Sequence, residues 1–335
     1  MTKILLTGGL GFIGSHVAVE LLNRSYEVVI LDDLSNSDIT VLNRINELTG
    51  QKVSLELCDI RNKSFLESIF DKYQIDSVIH FAAKKAVGES FAEPLLYYDV
   101  NVGGMINLLQ VIKEKPVRKL IFSSSCTVYG NPVTLPVTEQ IPFGETPSPY
   151  GKTKQVCENI LISESEVVDY EMVSLRYFNP VGAHQSAMIG ELPKGKPNNL
   201  VPFITQTAAG LRDQLHIFGG DYNTPDGTAI RDYIHVVDLA LAHVNSLEVS
   251  LGKYMALNIG TGKGHSVLEV VKTFEEVSGM SLNYKIVGKR SGDLPMIYGA
   301  TDFANKQLRW QAERGLKEML ADAWRWQQHI LTSRN

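Results

Sequence analysis

Through the first half of the chain, short apolar runs recur without polar alternation, at residues 3–7, 27–31, 53–58, 77–82, 119–123 and 172–176. Strands that read this way are buried on both faces, as in a parallel sheet. Between them apolar residues return at helical spacing, for example Val17, Leu21 and Leu22, or Leu108, Val111 and Ile112. Repeated units of this kind predict an α/β fold with a doubly wound parallel sheet and helices on both faces. After Phe178-Asn179-Pro180 the texture changes. Residues 183–200 are rich in Gly, Pro and Asn and read as a long functional loop. A helix-then-strand texture returns at 231–262 and ends in an apolar run at 256–259. The expected organisation is a first domain over 1–180, rejoined by 232–262, and a second, smaller α/β domain over 181–335.

Composition narrows the function classes. The 335 residues suit two domains, and 44% hydrophobic content is enough for a core, which excludes general disorder. With 32 Lys+Arg against 37 Asp+Glu, the net charge of −5 argues against nucleic acid or an anionic membrane as partner. It leaves room for an anionic small ligand held by one or two local arginines. The 3 cysteines, Cys58, Cys126 and Cys157, are widely spaced, so neither a disulfide framework nor a cysteine zinc site is expected. The 8 histidines form no ligand motif, and no metal is expected. No apolar run is long enough to span a membrane. Glycines at 8, 9, 11 and 14 interrupt the N-terminal apolar run before a signal-peptide core forms, which makes the cytosol the expected compartment.

Between the first strand and the first helix lies Thr7-Gly8-Gly9-Leu10-Gly11-Phe12-Ile13-Gly14, a G-x-x-G-x-x-G relative of the dinucleotide fingerprint. Gly8, Gly11 and Gly14 permit a tight turn and let backbone approach a pyrophosphate at a helix N-terminus. Asp32 ends the second strand, where a carboxylate accepts hydrogen bonds from ribose hydroxyls and repels a 2′-phosphate. No arginine adjoins it, so NAD is expected rather than NADP. Asp33 doubles the acid. Asp59, after the third strand, either meets the adenine edge or caps a helix.

Tyr150 and Lys154 stand four apart after Ser148, a helix N-cap residue, and Pro149, a good first helical residue. Upstream, Phe122-Ser123-Ser124-Ser125 ends a strand and delivers hydroxyls to the ligand-binding edge of the sheet. A phenol titrates near 10, so a phenolate base at neutral pH needs roughly three units of depression. A neighbouring ammonium and a positive nicotinamide ring both act in that direction. Ser125 would then hydrogen-bond the reacting oxygen. The alternative for Lys154 is a solvated helix face.

With these features the sequence resembles the extended short-chain dehydrogenase/reductase family, and within it the nucleotide-sugar 4-epimerases. The likeness runs along nearly the whole chain. It rests on the glycine loop, Asp59-Ile60-Arg61-Asn62, His80-Phe81-Ala82, Lys85-Ala86-Val87-Gly88-Glu89-Ser90 and the Ser123 to Gly130 stretch. It continues through Ser148 to Lys152, Arg176 to His184, Pro197 to Leu200, Asp226-Gly227-Thr228, Arg231 to Val236 and Gly292-Asp293-Leu294-Pro295. The resemblance implies NAD contacts at Phe12, Ile13, Asp32, Asp33, Leu34, Ser35, Asn36, Ser37, Asp59, Ile60, Phe81, Ala82, Ala83, Lys84, Lys85, Lys154 and Phe178. It implies catalysis at Tyr150 and Ser125, with Lys154 beside them. For a UDP-hexose it implies Lys85, Ser125, Tyr150, Asn179, Asn199, Leu200, His216, Ile217, Phe218, Arg231, Arg290, Asp293 and Ile297. The implied activity is reversible C4 epimerisation of UDP-galactose and UDP-glucose through a 4-keto sugar, with NAD retained throughout. A homodimer through helices near 98–115 and 150–163 is implied by the family alone.

Charge chemistry agrees with the substrate side. A diphosphate needs cations, and arginine's planar fork suits its oxygens, although each of Arg231 and Arg290 taken singly would also suit a surface ion pair. Asn198 and Asn199 precede an apolar helical run whose N-terminus adds N–H donors. Trp324 and Trp326, near the C-terminus with Leu316, Met319 and Leu320, read as packing residues. Val100 departs from an asparagine frequent in such epimerases, and Cys126 from an alanine. Ile297 falls where these epimerases gate sugar size, so non-acetylated UDP-hexoses are the expected substrates. Two rivals are kept. Related dehydratases carry Asp-Glu after the position of Ser125, where this chain has Cys126 and Thr127. A non-catalytic NAD-sensing protein of the same fold would usually lack the Tyr/Lys pair.

Overall fold

In the computed structural model, which describes residues 2–290 and 292–332, the apolar runs form one large parallel sheet. Its strands are β1 (Lys3–Thr7), β2 (Glu27–Asp32), β3 (Ser54–Leu57), β4 (Ser77–His80), β5 (Lys119–Ser125), β6 (Glu171–Tyr177) and β10 (Tyr254–Ile259). They lie in the order β10-β6-β5-β4-β1-β2-β3, the doubly wound Rossmann arrangement extended by β10. The order reverses between β1 and β4, and there the carboxyl ends open a crevice. The sequence runs lie within a residue or two of these strands. The fourth stops at His80, although the Phe81 amide still donates to the Thr7 carbonyl at 2.9 Å.

Helices cover both faces. α1 (Phe12–Asn23), α2 (Thr40–Thr49), α9 (Val236–Glu248) and α11 (Asp302–Leu308) pack on one side, through residues such as Val17, Ile45, Leu239 and Leu308. α3 (Lys63–Lys72), α6 (Gly104–Ile112) and α7 (Pro149–Ser165) pack on the other, through Leu66, Leu108 and Leu161. Two short helices, α4 (Val87–Ala92) and α5 (Pro94–Tyr97), lead into a π-helical turn at Tyr98–Gly103 before α6.

A smaller region stands over the crevice. β7 (Asn179–Val181) and β13 (Met296–Ile297) run parallel to β9 (Ile230–His235), and β11 (Gly264–Ser266) pairs with β9 antiparallel. β8 (Leu215–Phe218) pairs with β12 (Tyr284–Val287). α8 (Leu200–Ala208), α10 (Val267–Ser278) and α12 (Leu316–Thr332) enclose a separate apolar core around Ile204, Phe274 and Leu320. After building β9 here, the chain returns through α9 to add β10 to the large sheet. Among the described residues no helix is long and apolar enough to cross a membrane.

Candidate active site

The glycine loop turns directly above β1. Gly8 has φ +70°, and a Cβ there would lie 2.8 Å from the amide nitrogen of Ala82. At Gly14 it would lie 2.5 Å from the carbonyl oxygen of Gly8. Both positions are closed by backbone, which a side chain cannot push aside. Gly11 differs. It is the N-cap of α1 and offers no side chain to cap it, so the first-turn N–H groups remain open. Phe12 and Ile13 form that first turn.

The acid loop follows β2. Asp32 is 5% exposed, and its Oδ1 accepts from the Leu34 amide at 3.0 Å and the Ser37 hydroxyl at 2.6 Å. Oδ2 accepts from the Leu10 amide at 3.0 Å, which ties the acid to the glycine turn. Exposed Asp33 accepts from the Ser35 amide, and Ser35 and Asn36 are exposed at the loop tip. Asp59 is held by the Arg61 guanidinium, which lowers its pKa, and Arg61 also pairs with Asp99. Asp59 does not cap α3, because Asn62 does so through the Phe65 amide. Ile60 is buried in the core against Gly104.

Ser125 ends β5 and its hydroxyl accepts from the Thr127 amide at 3.2 Å. Ser148 caps α7 and Pro149 opens it, which sets Tyr150 and Lys154 one turn apart on the same face. The Lys154 side chain is not solvated. It is 3% exposed, and its Nζ donates to the Ser123 carbonyl at 2.6 Å and lies 5.8 Å from the Tyr150 ring centre. Burial pushes Lys154 down to about 8. The phenol runs against expectation: burial pushes Tyr150 up to about 12, and its hydrogen bond with Ser125 only partly offsets that. The protein's own groups therefore hold Tyr150 protonated. The expected depression needs positive charge beyond what the chain supplies.

Past β4, Phe81, Ala82, Ala83 and Lys84 are half-buried along the crevice. Asn101 pins them, accepting from the Lys84 amide at 2.8 Å and donating to the Lys84 carbonyl and to Thr153. Val100 stands beside it, half-buried. Opposite, Phe178 is buried with Cys126, Tyr129 and Ile297 in one apolar cluster. This cluster joins the serine end of β5 to the small region, because Ile297 sits opposite Arg231 in the β13–β9 register. The Arg231 guanidinium pairs with Asp293, and its charge is felt at Cys126. The Arg290 guanidinium lies 3.8 Å from the Phe218 ring centre. On β8, His216 is exposed, Ile217 buried and Phe218 half-buried. Asn179 begins β7, Asn199 is the N-cap of α8, and Leu200 opens that helix.

The glycine turn, buried acid and open helix N-terminus fit a dinucleotide, and the Tyr/Lys/Ser group lies where its reactive end would reach. Comparison with known proteins agrees. A family model described as GDP-mannose 4,6 dehydratase matches residues 5–323. The UDP-glucose 4-epimerase of Neisseria meningitidis serogroup C is 50% identical over 331 residues, covering 97% of each chain. The chain belongs to the UDP-glucose 4-epimerase branch of the extended short-chain dehydrogenase/reductase family. Among solved structures, the enzyme from Stenotrophomonas maltophila with bound NAD and formylated UDP-arabinopyranose superposes with a TM-score of 0.97 at 44% identity, covering 99% of this chain and 100% of that one. The enzyme from Bifidobacterium longum in complex with NAD+ and UDP gives 0.93 at 44% identity over 98% of each.

Two members of the site carried no signal in the sequence. In the loop between β7 and α8, Glu191 accepts from Lys85 Nζ at 3.0 Å and from Asn199 Nδ2 at 2.7 Å. Three residues on, Lys194 donates to the Leu34 carbonyl at 2.6 Å and so sets a cation beside the acid loop, where none was expected. Trp326 also exceeds its packing role, since its Nε1 donates to the Glu191 carbonyl at 2.9 Å.

Proposed function

We propose that the chain interconverts UDP-galactose and UDP-glucose by inverting C4 through a 4-keto sugar, with NAD resident in the crevice. The observation that carries this reading is the apolar cluster of Cys126, Phe178 and Ile297, which joins the end of β5 at Ser125 to the strand pair that carries Arg231. The residue after Ser125, Cys126, also feels the charge of Arg231, which links the proton-transfer end of β5 to a cation suited to a diphosphate. NAD would lie along Gly8 to Gly14, Asp32 to Ser37, Asp59, Ile60, Phe81 to Lys85, Lys154 and Phe178. Bound there, it supplies the hydride acceptor and donor for C4.

The chain's own residues handle the proton and the geometry. Tyr150 Oη takes the O4 proton and later returns it, while Ser125 holds the same oxygen. Lys154 supplies a fixed positive charge, its Nζ anchored by the Ser123 carbonyl. Arg231 and Arg290 hold the diphosphate, Asn179, Asn199, Leu200, His216, Ile217, Phe218 and Asp293 hold the nucleotide, and the keto sugar turns over beneath Phe178 and Ile297. That apolar wall excludes water from the transfer. The cofactor role belongs to residues 1–180 with 232–262, and the UDP-sugar role to 181–335. Exposed Ile106 on α6 and Ile162 on α7 support a homodimer through the helices near 98–115 and 150–163.

Dehydration is the weaker reading. It needs an acid and a base after Ser125, yet Cys126 is buried with its thiol pushed up to about 12, and Thr127 Oγ1 is buried without a partner. The test is to incubate the purified protein with UDP-galactose and no added NAD, and to follow the sugar by proton NMR. Conversion to UDP-glucose is expected. Recovery of unchanged substrate, or of a 4-keto-6-deoxy sugar, would overturn the reading.

A further inference from the structure

We propose that Glu191 is a positioning residue for the diphosphate of the substrate, acting through Asn199 at the head of α8; the inference rests on the UDP-sugar reading above. Glu191 Oε1 receives two donors, Asn199 Nδ2 at 2.7 Å and Lys85 Nζ at 3.0 Å. The carboxylate is 11% exposed, whereas Lys85 is 49% exposed. Behind it the backbone is fixed, because buried Trp326 donates to the Glu191 carbonyl and carries the Arg44 guanidinium 5.0 Å from its ring centre. The carboxylate is therefore presented in one place, between the edge of the large sheet and the small region.

Asparagine at an N-cap normally turns its side-chain oxygen onto the amides of its own helix. Asn199 occupies the N-cap of α8 and makes no such bond. Its amide is turned to Glu191 instead. Pro202 in the first turn has no N–H to offer, so the open donors are those of Leu200 and Val201. Backbone donors at a helix N-terminus favour a phosphate. By engaging Asn199, Glu191 keeps this helix end free as a receptor. A carboxylate so near a diphosphate would repel it, and the Lys85 ammonium on the same oxygen neutralises that charge.

The two bonds differ in weight. An ion pair to an exposed lysine contributes little. The hydrogen bond from Asn199 to a mostly buried carboxylate is the stronger one. The experiment is calorimetric titration of UDP into the NAD-loaded wild type, Glu191→Gln and Glu191→Ala, together with kcat, KM and Tm for each. Glu191→Ala should weaken UDP roughly tenfold and raise KM for UDP-galactose similarly, with kcat within about threefold. NAD content and Tm should stay at the wild-type level. Glu191→Gln keeps an oxygen for Asn199 and should bind UDP within about threefold of wild type. Unchanged UDP affinity in Glu191→Ala would overturn the proposal, and so would a loss accompanied by lost NAD and a lowered Tm. Equal weakness of both variants would overturn it too, because Lys85 rather than Asn199 would then be the carrier. UDP binding needs no turnover, so a wild type that binds UDP without epimerising sinks the reaction assignment and leaves this test intact.

Discussion

Tyr150 and Lys154 sit where burial disfavours the charge each needs, so each is shifted toward its uncharged form, Tyr150 up to about 12 and Lys154 down to about 8. Replacing Tyr150 by Phe removes the hydroxyl proposed to exchange the O4 proton, so turnover should fall by about 10²–10⁴-fold with UDP and NAD still bound. A variant keeping more than a tenth of wild-type kcat would exclude Tyr150 as the base. Lys154 bears on the pH profile. Its cation favours the phenolate, so Lys154→Ala should raise the phenol's pKa and move the rising limb of kcat to higher pH. An unmoved limb would leave Lys154 with cofactor binding alone. Ile297 is buried against Phe178 and stiff at χ1, and it offers an acetamido group no hydrogen-bond partner. UDP-galactose should therefore be preferred over its N-acetylated form, and Ile297→Ser should narrow the ratio of the two kcat/KM values. At this scale the Tyr/Lys pair was legible because its four-residue spacing is local. Glu191 was not, because its partners lie 106 and 8 residues away and only the folded loop unites them.

Elements were legible in proportion to their burial. The large sheet's strands read as unbroken apolar runs because helices cover both faces, and the cap at Ser148 announced α7. The strands of the small region did not stand out. β13 has two residues, β7 and β11 three each, and β8 alternates buried Leu215 and Ile217 with exposed His216. Such pieces are held by tertiary pairing, not by their own pattern. The stretch before α8 was read as a long loop, and apart from an isolated Ala183–Gly190 bridge it forms no strand; its role as a strap was not legible, because Lys194 and Glu191 meet their partners only once it is folded. The glycine loop allows a sharper test of element against ligand. At Gly14 a methyl group meets backbone at 2.5 Å, so Gly14→Ala should displace α1 from the turn and lower Tm. At Gly11 it meets only the Gly8 oxygen, at 3.2 Å, so Gly11→Ala should keep nearly the wild-type Tm while losing NAD, because the added group occupies the phosphate's approach. Melting curves and the NAD content of both purified variants distinguish the two. Equal losses of Tm would show that the turn, not the anion site, needs both glycines.

Across the whole molecule, three histidines are buried around the large sheet in forms that resist protonation. His16 on α1 gives Nδ1 to the Phe12 carbonyl at 2.7 Å, and its Nε2 is buried without a partner. His80 at the end of β4 shares Nδ1 with the Thr7 hydroxyl at 2.6 Å. His243 on α9 gives Nδ1 to the Leu239 carbonyl at 2.8 Å and meets the Tyr177 hydroxyl with Nε2. Burial lowers them to about 3, about 3 and about 4. The unfolded chain takes up protons at these rings near pH 6.5, whereas the folded chain does not until well below. Between those values the unfolded state binds more protons, so stability falls as pH falls. Each ring contributes at most ~1.4 kcal/mol per pH unit, or roughly 4 for the three together. Tm should accordingly drop steeply between pH 6.5 and 5 and be nearly insensitive to these groups above pH 7. His16→Asn retains an N–H for the Phe12 carbonyl while removing one proton site, and it should make the acid slope shallower by about a third. A wild-type Tm that is flat from pH 6.5 to 5, or a His16→Asn slope equal to wild type, would show that these rings take up protons without unfolding the chain.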